Sequence, residues 1–284
     1  MTTKEIIAAF EKGFRANRED KCRHGNLIKF TAPGEVIMTG DLHGNEKNFA
    51  KLCKYADLSN NPGRHLILHE MLHGSQNQSA NECHSYQLLA QAAQLKVEFP
   101  HQVHILMGNH AMAQVSKDEI LKGGQPMVRA LNNAISTAFS TSSSLVIQAL
   151  DEFIMSFPLA ARSDNRIWMS HSLPSMRHLE YFKNSDIFEK RLILEDIKSN
   201  PALRSLTWDR SHSVKCLDML QEMWDVDYFI GGHQPQAQGC SFNHKQLIIL
   251  ASDHPHGCFL PFNLQINYDP DELFSLIRPL ASIE

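Results

Sequence analysis

An α/β layered fold is predicted for this chain of 284 residues by two observations. Short apolar runs of strand length alternate with longer stretches of helical pattern, the order expected when helices pack on a sheet. A polar cluster follows directly after several of those runs, where loops collect ligands along one sheet edge. Composition agrees: 43% hydrophobic, 20% charged and 8% aromatic residues supply a core and exclude a mainly disordered chain. With 27 Lys+Arg against 31 Asp+Glu, the formal net charge of −4 provides no global basic field for nucleic acid. Histidine is the outlier, at 16 residues, and imidazole is the commonest metal ligand and proton carrier near neutral pH.

Residues 1–20 read as an amphipathic helix with Ile6, Ile7, Phe10 and Phe14 on one side. They lack the apolar segment and cleavage site of a signal peptide. Apolar runs at 35–39, 65–68, 103–107, 166–169, 228–230 and 247–250 are the expected strands, and 46–55, 83–99, 125–150 and 215–224 the expected helices. Residues 58–64 (LSNNPGR) form a turn-rich loop, and no linker or repeat divides the chain, so one domain over 1–284 is expected. No run approaches the 18 or so apolar residues of a membrane span. The six cysteines are scattered without a CxxC pair, which fits reduced thiols in the cytoplasm.

The polar clusters carry the chemistry. Gly40-Asp41-Leu42-His43-Gly44-Asn45 places an Asp and a His two apart on a strand-end loop, where both can face one cation; the same arrangement also serves a purely structural turn. Met107-Gly108-Asn109-His110 offers a neutral, hard Asn oxygen and a His free for proton transfer, or simply Asn as a helix cap. Met169-Ser170-His171-Ser172 and Ile230-Gly231-Gly232-His233 each set one His after an apolar run, as ligand or as buried imidazole.

Taken together and in order, GDLHG, GNHA, SHS and GGH resemble the metallophosphoesterase (calcineurin-like) superfamily, and most closely its phosphoprotein-phosphatase branch. Connecting text agrees: 82–110 resembles the helix and strand leading into GNHE, and Phe157-Pro158-Leu159-Ala160-Ala161 resembles an LPLAA strand. The resemblance spans roughly 35–260. It implies a four-layer α/β/β/α sandwich of two mixed sheets flanked by helices, with an N-terminal helical extension (1–30) and helical additions at 111–150 and 175–205. It also implies two divalent or trivalent metal ions, with Mn, Fe and Zn all suited, about 3.5–4 Å apart and bridged by hydroxide. Asp41 and His43 would serve the first metal, Asn109, His171 and His233 the second, and His110 would protonate the leaving oxygen as general acid. Pro235 stands where other branches carry a second His, which favours the phosphoprotein-phosphatase arrangement.

The second motif departs from the family's GDxxDRG. After strand 65–68 the chain reads His69-Glu70-Met71-Leu72-His73-Gly74. Anchoring on the strand puts Glu70 at the bridging Asp, His73 at the second Asp and Gly74 at the Arg; anchoring on the glycine would make His69 the bridge. The first register is preferred, because a carboxylate has two oxygens and a charge for two metals. His73 then stands where an acid normally orients the catalytic imidazole. Arg210 is the replacement phosphate clamp, with an ion pair to Asp209 as its alternative role. Ala111 replaces the Glu of GNHE.

His69-Glu70-Met71-Leu72-His73 also matches the zinc-peptidase signature HExxH, which needs a helix to bring both imidazoles to one face. Gly74 and the polar SQNQS that follows would cut such a helix short. The remaining histidines have plainer readings: His254 and His256 follow the last strand and could rim a pocket, while His101 and His104 alternate with Val103 and Ile105. Without interleaved aromatic and basic residues, a nucleic-acid surface is not supported. The expected activity is metal-dependent hydrolysis of a phosphorylated substrate, protein or small molecule, with phosphoserine or phosphothreonine in proteins as one substrate class. Nucleotide polyphosphates of the dinucleoside tetraphosphate kind are the alternative substrate, and a catalytically weakened metal-binding regulator is the rival role. The sequence leaves the oligomeric state open.

Overall fold

Alternating side chains along Glu35–Asp41 divide between two cores: Ile37 faces the helices while Val36 and Met38 face a second sheet, the period-two pattern of a strand buried on both faces. The structure is a computed structural model that describes residues 1–74 and 82–283. Its five-stranded sheet runs Arg278–Pro279, Cys258–Asn263, Glu35–Asp41, Arg64–His69, Val103–Leu106, with the last three parallel. The seven-stranded sheet runs Arg23–His24, Leu27–Phe30, Ala160–Ser163, Ile167–Ser170, Tyr228–Gly231, Leu247–Leu250, Cys240–Asn243, with Ile167–Ser170, Tyr228–Gly231 and Leu247–Leu250 parallel.

Ile28, Phe30, Met169, Ile230 and Leu250 from one sheet meet Val36, Met38, Ile67, Leu106 and Leu260 from the other, closing an apolar core between them. Outside the five-stranded sheet, Ile37, Leu66, Leu68, Val103 and Ile105 pack on helices that contribute Phe10, Leu52, Leu89, Leu131 and Phe153. Outside the other, Trp168, Phe229 and Ile249 cover Cys216, Leu217 and Leu220 of helix Val214–Trp224. The result is the four-layer α/β/β/α sandwich expected. A parallel bridge between Asp41 and Ala251 joins the two sheets at their common edge.

Most predicted strands recur within a residue or two. Three elements differ. The helical extension stops at Arg18, because Asp20 folds back to accept from the Cys22 N–H at 3.0 Å; Leu27–Phe30 then joins the sheet parallel to Ala160–Ser163. The helix predicted over 125–150 is two, Met127–Phe139 and Ser143–Ile154. The polar run Ser140-Thr141-Ser142 breaks it, as such side chains compete for backbone groups. Finally, Leu121–Lys122 and Gln125–Pro126 form a hairpin within the expected helical addition.

Candidate metal centre

Parallel strands end on one side, and five of them deliver the motif residues to the shared edge. Asp41 closes Glu35–Asp41 just where its register against Arg64–His69 shifts, an irregularity of the kind that re-aims a side chain. His43 follows in the turn, and Asn45 caps the next helix by accepting from the Asn48 N–H at 3.0 Å. Asn109 begins helix Asn109–Ser116, whose cap is Gly108, so the Asn109 amide is free of capping and turns instead to His171. His171 and His233 follow Ile167–Ser170 and Tyr228–Gly231.

The donor atoms converge. His171 Nε2 lies 2.8 Å from Asn109 Oδ1 and 3.1 Å from His233 Nδ1, close to the ~3 Å edge of an octahedron with bonds of about 2.1 Å. On the other side, Asp41 Oδ1 is 3.5 Å from His171 Nδ1, and Asp41 Oδ2 is 3.7 Å from His43 Nε2. His43 Nδ1 donates to the Leu72 carbonyl at 2.9 Å, which leaves Nε2 with its lone pair toward Asp41, the orientation a second partner imposes on a ligating histidine. His43, Glu70, His73 and His233 all hold positive φ, at 43°, 36°, 59° and 66°. Strain of about 1–3 kcal/mol per residue is tolerated where surrounding structure over-determines it, and it clusters at functional sites.

Electrostatics tests whether these residues fit a metal. Burial pushes the Asp41 carboxyl up to about 7 and Glu70 up to about 8, and pulls His233 down to about 4. Burial also drives His43 and His171 well below the ordinary imidazole range. His171 Nδ1 is buried without a hydrogen-bond partner. Neutral imidazoles with free lone pairs, beside carboxyls that burial alone holds protonated, form a donor set that a divalent cation would satisfy. The residues fit.

At the atypical motif, both strand-end residues are buried. Glu70 turns its carboxylate onto the start of helix Asn109–Ser116, accepting from the N–H groups of His110 at 2.9 Å and Ala111 at 3.1 Å. Its Oε2 remains 3.8 Å from His171 Nε2. His69 sits on the inter-sheet side with its ring 6.0 Å from that of His171, and neither of its nitrogens has a hydrogen-bond partner. His73 Nδ1 is 3.0 Å from His110 Nδ1. Residues 70–74 are not helical, so the HExxH pattern lacks the helix a zinc peptidase requires; the SQNQS segment lies outside the described residues. Gly74 is dictated by close approach, since a Cβ there would stand 2.1 Å from the His43 carbonyl oxygen. No arginine fits at that position.

Two cationic side chains line the adjoining cavity. Asp41, His43, Asn109, His110 and His233 open into a cavity of about 480 Å³ that Arg210 and Lys122 also line. Arg210 is not paired with Asp209: its Nε donates to His233 Nε2 at 2.9 Å, while Asp209 accepts from Ser175 and His178. Lys122 was not singled out from sequence. Its buried Nζ makes no hydrogen bond, and Asp253 is 4.0 Å away. The signal was Gly123-Gly124, a hairpin dipeptide whose φ values of 57° and 80° turn the chain just past Lys122. His254 also lines the cavity, as expected for a rim residue, with its Nε2 2.9 Å from the Gln236 carbonyl.

Solved structures share this architecture. A Saccharomyces cerevisiae protein serine/threonine phosphatase with similarity to human phosphatase PP5 superposes with a TM-score of 0.70, covering 99% of this chain and 94% of its own at 14% identity. A cold-active protein-tyrosine phosphatase of the psychrophile Shewanella sp. gives 0.59 at 16% identity, covering 83% and 77%. No curated protein sequence matches the chain. The family model for calcineurin-like phosphoesterases, which generally bind divalent metal ions, matches residues 35–237. That span takes in every strand-end motif from Asp41 to His233 and most of the chain, which therefore belongs to the calcineurin-like phosphoesterase family and is a phosphoric ester hydrolase.

Proposed function

We propose that the chain is a phosphomonoesterase of the phosphoprotein-phosphatase branch, acting on phosphoserine or phosphothreonine with two bound metal ions. The observation that carries this reading is the convergence of Asn109, His171 and His233 within 3.1 Å contacts beside Asp41 and His43. Asp41 and His43 would hold one ion and Asn109, His171 and His233 the other, with Glu70 as the shared carboxylate. When bound, two such ions supply Lewis acidity toward phosphate oxygens and lower the pKa of water at the site.

The chain's own residues do the rest. Arg210 and Lys122 bind the phosphate oxygens, since both reach the cavity and neither has a carboxylate within hydrogen-bond distance. His110 donates from Nε2 to the leaving oxygen, its Nδ1 being engaged with His73 Nδ1. His233 Nε2 faces both Arg210 Nε and the Trp208 carbonyl, at 2.9 and 3.1 Å. It can accept from one or donate to the other. Ligation through Nδ1 requires the hydrogen on Nε2, which selects Trp208 and frees the guanidinium for substrate. Six free cysteines support a reducing, cytoplasmic setting, and no described helix is long and apolar enough to cross a membrane. Residues 1–284 are read as one domain.

The test is release of inorganic phosphate from p-nitrophenyl phosphate and from a phosphoserine peptide with Mn²⁺, Zn²⁺ or Fe²⁺. Metal-dependent release from both is expected. Absence of release with all three ions overturns the reading, and turnover of dinucleoside tetraphosphate alone reassigns the substrate.

A further inference from the structure

A second cluster of metal-ligating side chains lies away from the catalytic edge. His65 stands four residues before His69 on the same strand, roughly 13 Å back along it. There, one ligand atom each from Cys22, His65 and His104 falls within 4.8 Å of the others. Cys22 belongs to the segment linking helix Thr3–Arg18 to the seven-stranded sheet, whereas His65 and His104 belong to neighbouring strands of the five-stranded sheet. His65 Nδ1 is 3.3 Å from His104 Nε2. Two imidazole nitrogens at about 2.0–2.1 Å from a tetrahedral zinc ion are ~3.4 Å apart.

The surroundings are built as they are around ligating histidines. His104 Nδ1 is buried 3.0 Å from Asp20 Oδ2 without an aligned hydrogen bond; an acceptor at that distance favours the hydrogen on Nδ1 and a lone pair on Nε2. Asp20 is itself fixed by the Cys22 N–H at 3.0 Å and by Lys96 Nζ at 2.5 Å. The Lys96 ammonium is fully engaged, donating also to the Pro100 and Val103 carbonyls. Phe30 packs on both rings, with centroids at 4.7 Å from His65 and 5.0 Å from His104. Cys22 and His65 are half-buried while His104 is buried, so an ion can enter from solvent.

We propose that Cys22 Sγ, His65 Nδ1 and His104 Nε2 bind a zinc-type ion, with water in the fourth position and Asp20 orienting His104. Thiolate with two imidazoles favours zinc over the oxygen-preferring cations. The ion ties the segment after the first helix to the five-stranded sheet. This inference does not depend on the phosphatase reading.

Cobalt tests it, because none of the proposed catalytic ligands is a cysteine. The full-length protein is stripped with a chelator and titrated with Co²⁺. A thiolate-to-cobalt charge-transfer band is expected to saturate at an amplitude corresponding to one thiolate-bound cobalt per chain and to be displaced by Zn²⁺. Cys22→Ser should abolish the band, and His65→Ala should weaken cobalt binding at least tenfold. Cys83→Ser should retain the band. At a hundredfold excess of zinc over its dissociation constant, this site should raise Tm by about 4–5 °C. Absence of the band in the unmutated protein, which needs no variant to fold, overturns the proposal; so does its persistence in Cys22→Ser.

Discussion

His73 and His110 meet Nδ1 to Nδ1 at 3.0 Å, so a single hydrogen lies between two imidazoles where the phosphoprotein-phosphatase pattern has a carboxylate facing a histidine. His73 is fully buried, and its backbone N–H donates to Ser85 Oγ at 2.9 Å. It can hold the His110 ring in place without adding the negative charge that would help His110 carry a proton. His73→Ala should therefore lower kcat about 10–100-fold with KM nearly unchanged. His73→Asn, which can still accept the Nδ1 hydrogen, should recover much of that loss. Steady-state kinetics on a phosphoserine peptide, whose leaving alkoxide needs a proton, check both, and a pure KM effect would show that His73 does not position His110.

On the proposed reading, Arg210 and Lys122 both bind the phosphate that the family's arginine would hold. Each single alanine substitution should raise KM for a phosphomonoester about tenfold, in line with a lost charge-assisted hydrogen bond of 1.5–3 kcal/mol partly offset by the remaining cation. The double variant should lose more than either single variant. Inhibition by inorganic phosphate, measured in the same variants, should weaken in parallel.

Gly74→Ala should be far more damaging than a surface Gly-to-Ala change, because its Cβ meets the backbone oxygen of His43. About 2 kcal/mol or more of stability is expected to be lost, together with affinity for one metal. Denaturant unfolding and elemental analysis read the two effects separately.

Glu70 and His69 are distinguishable by metal content. Glu70→Gln should lower the metal retained per chain relative to the unmutated protein, and His69→Ala should not. The reverse outcome would place the bridge at His69. Gln retains the Glu shape and one acceptor for the helix N–H groups, so the comparison reports on metal more than on folding.

Asp209 gives the pH dependence. Burial pushes its carboxyl up, but the Ser175 N–H, His178 and the Ser175 hydroxyl together hold it below the ordinary value. Its stabilisation is thus present above about pH 4 and lost as pH falls below that. Unfolding at pH 7 and pH 3 should show a smaller acid loss in Asp209→Asn than in the unmutated protein.

Legibility in the sequence followed the physics. Strand ends were readable because an apolar run of fixed length precedes each motif, and parallel strands then bring Asp41, Asn109, His171 and His233 to one edge. Lys122 was not, since its role depends on a two-stranded hairpin too short to carry a hydrophobic pattern. Nor could the sequence show that Asp209 serves Ser175 and His178 rather than Arg210; that choice is made by loop packing. His65 and His104 passed as ordinary strand residues because their partner Cys22 arrives from a distant segment. Gly74 read as a loss, whereas the approach of His43 makes it a steric necessity.

The most direct measurement compares unmutated protein and His110→Ala, both loaded with Mn²⁺, on p-nitrophenyl phosphate and on a phosphoserine peptide. A nitrophenolate leaves without protonation, whereas a serine alkoxide needs a proton in the transition state. The expected result is metal-dependent turnover of both substrates, with the substitution costing at least tenfold more on the peptide. Equal losses on the two substrates, or turnover that survives removal of metal, would contradict metal-dependent phosphomonoester hydrolysis with His110 as the acid.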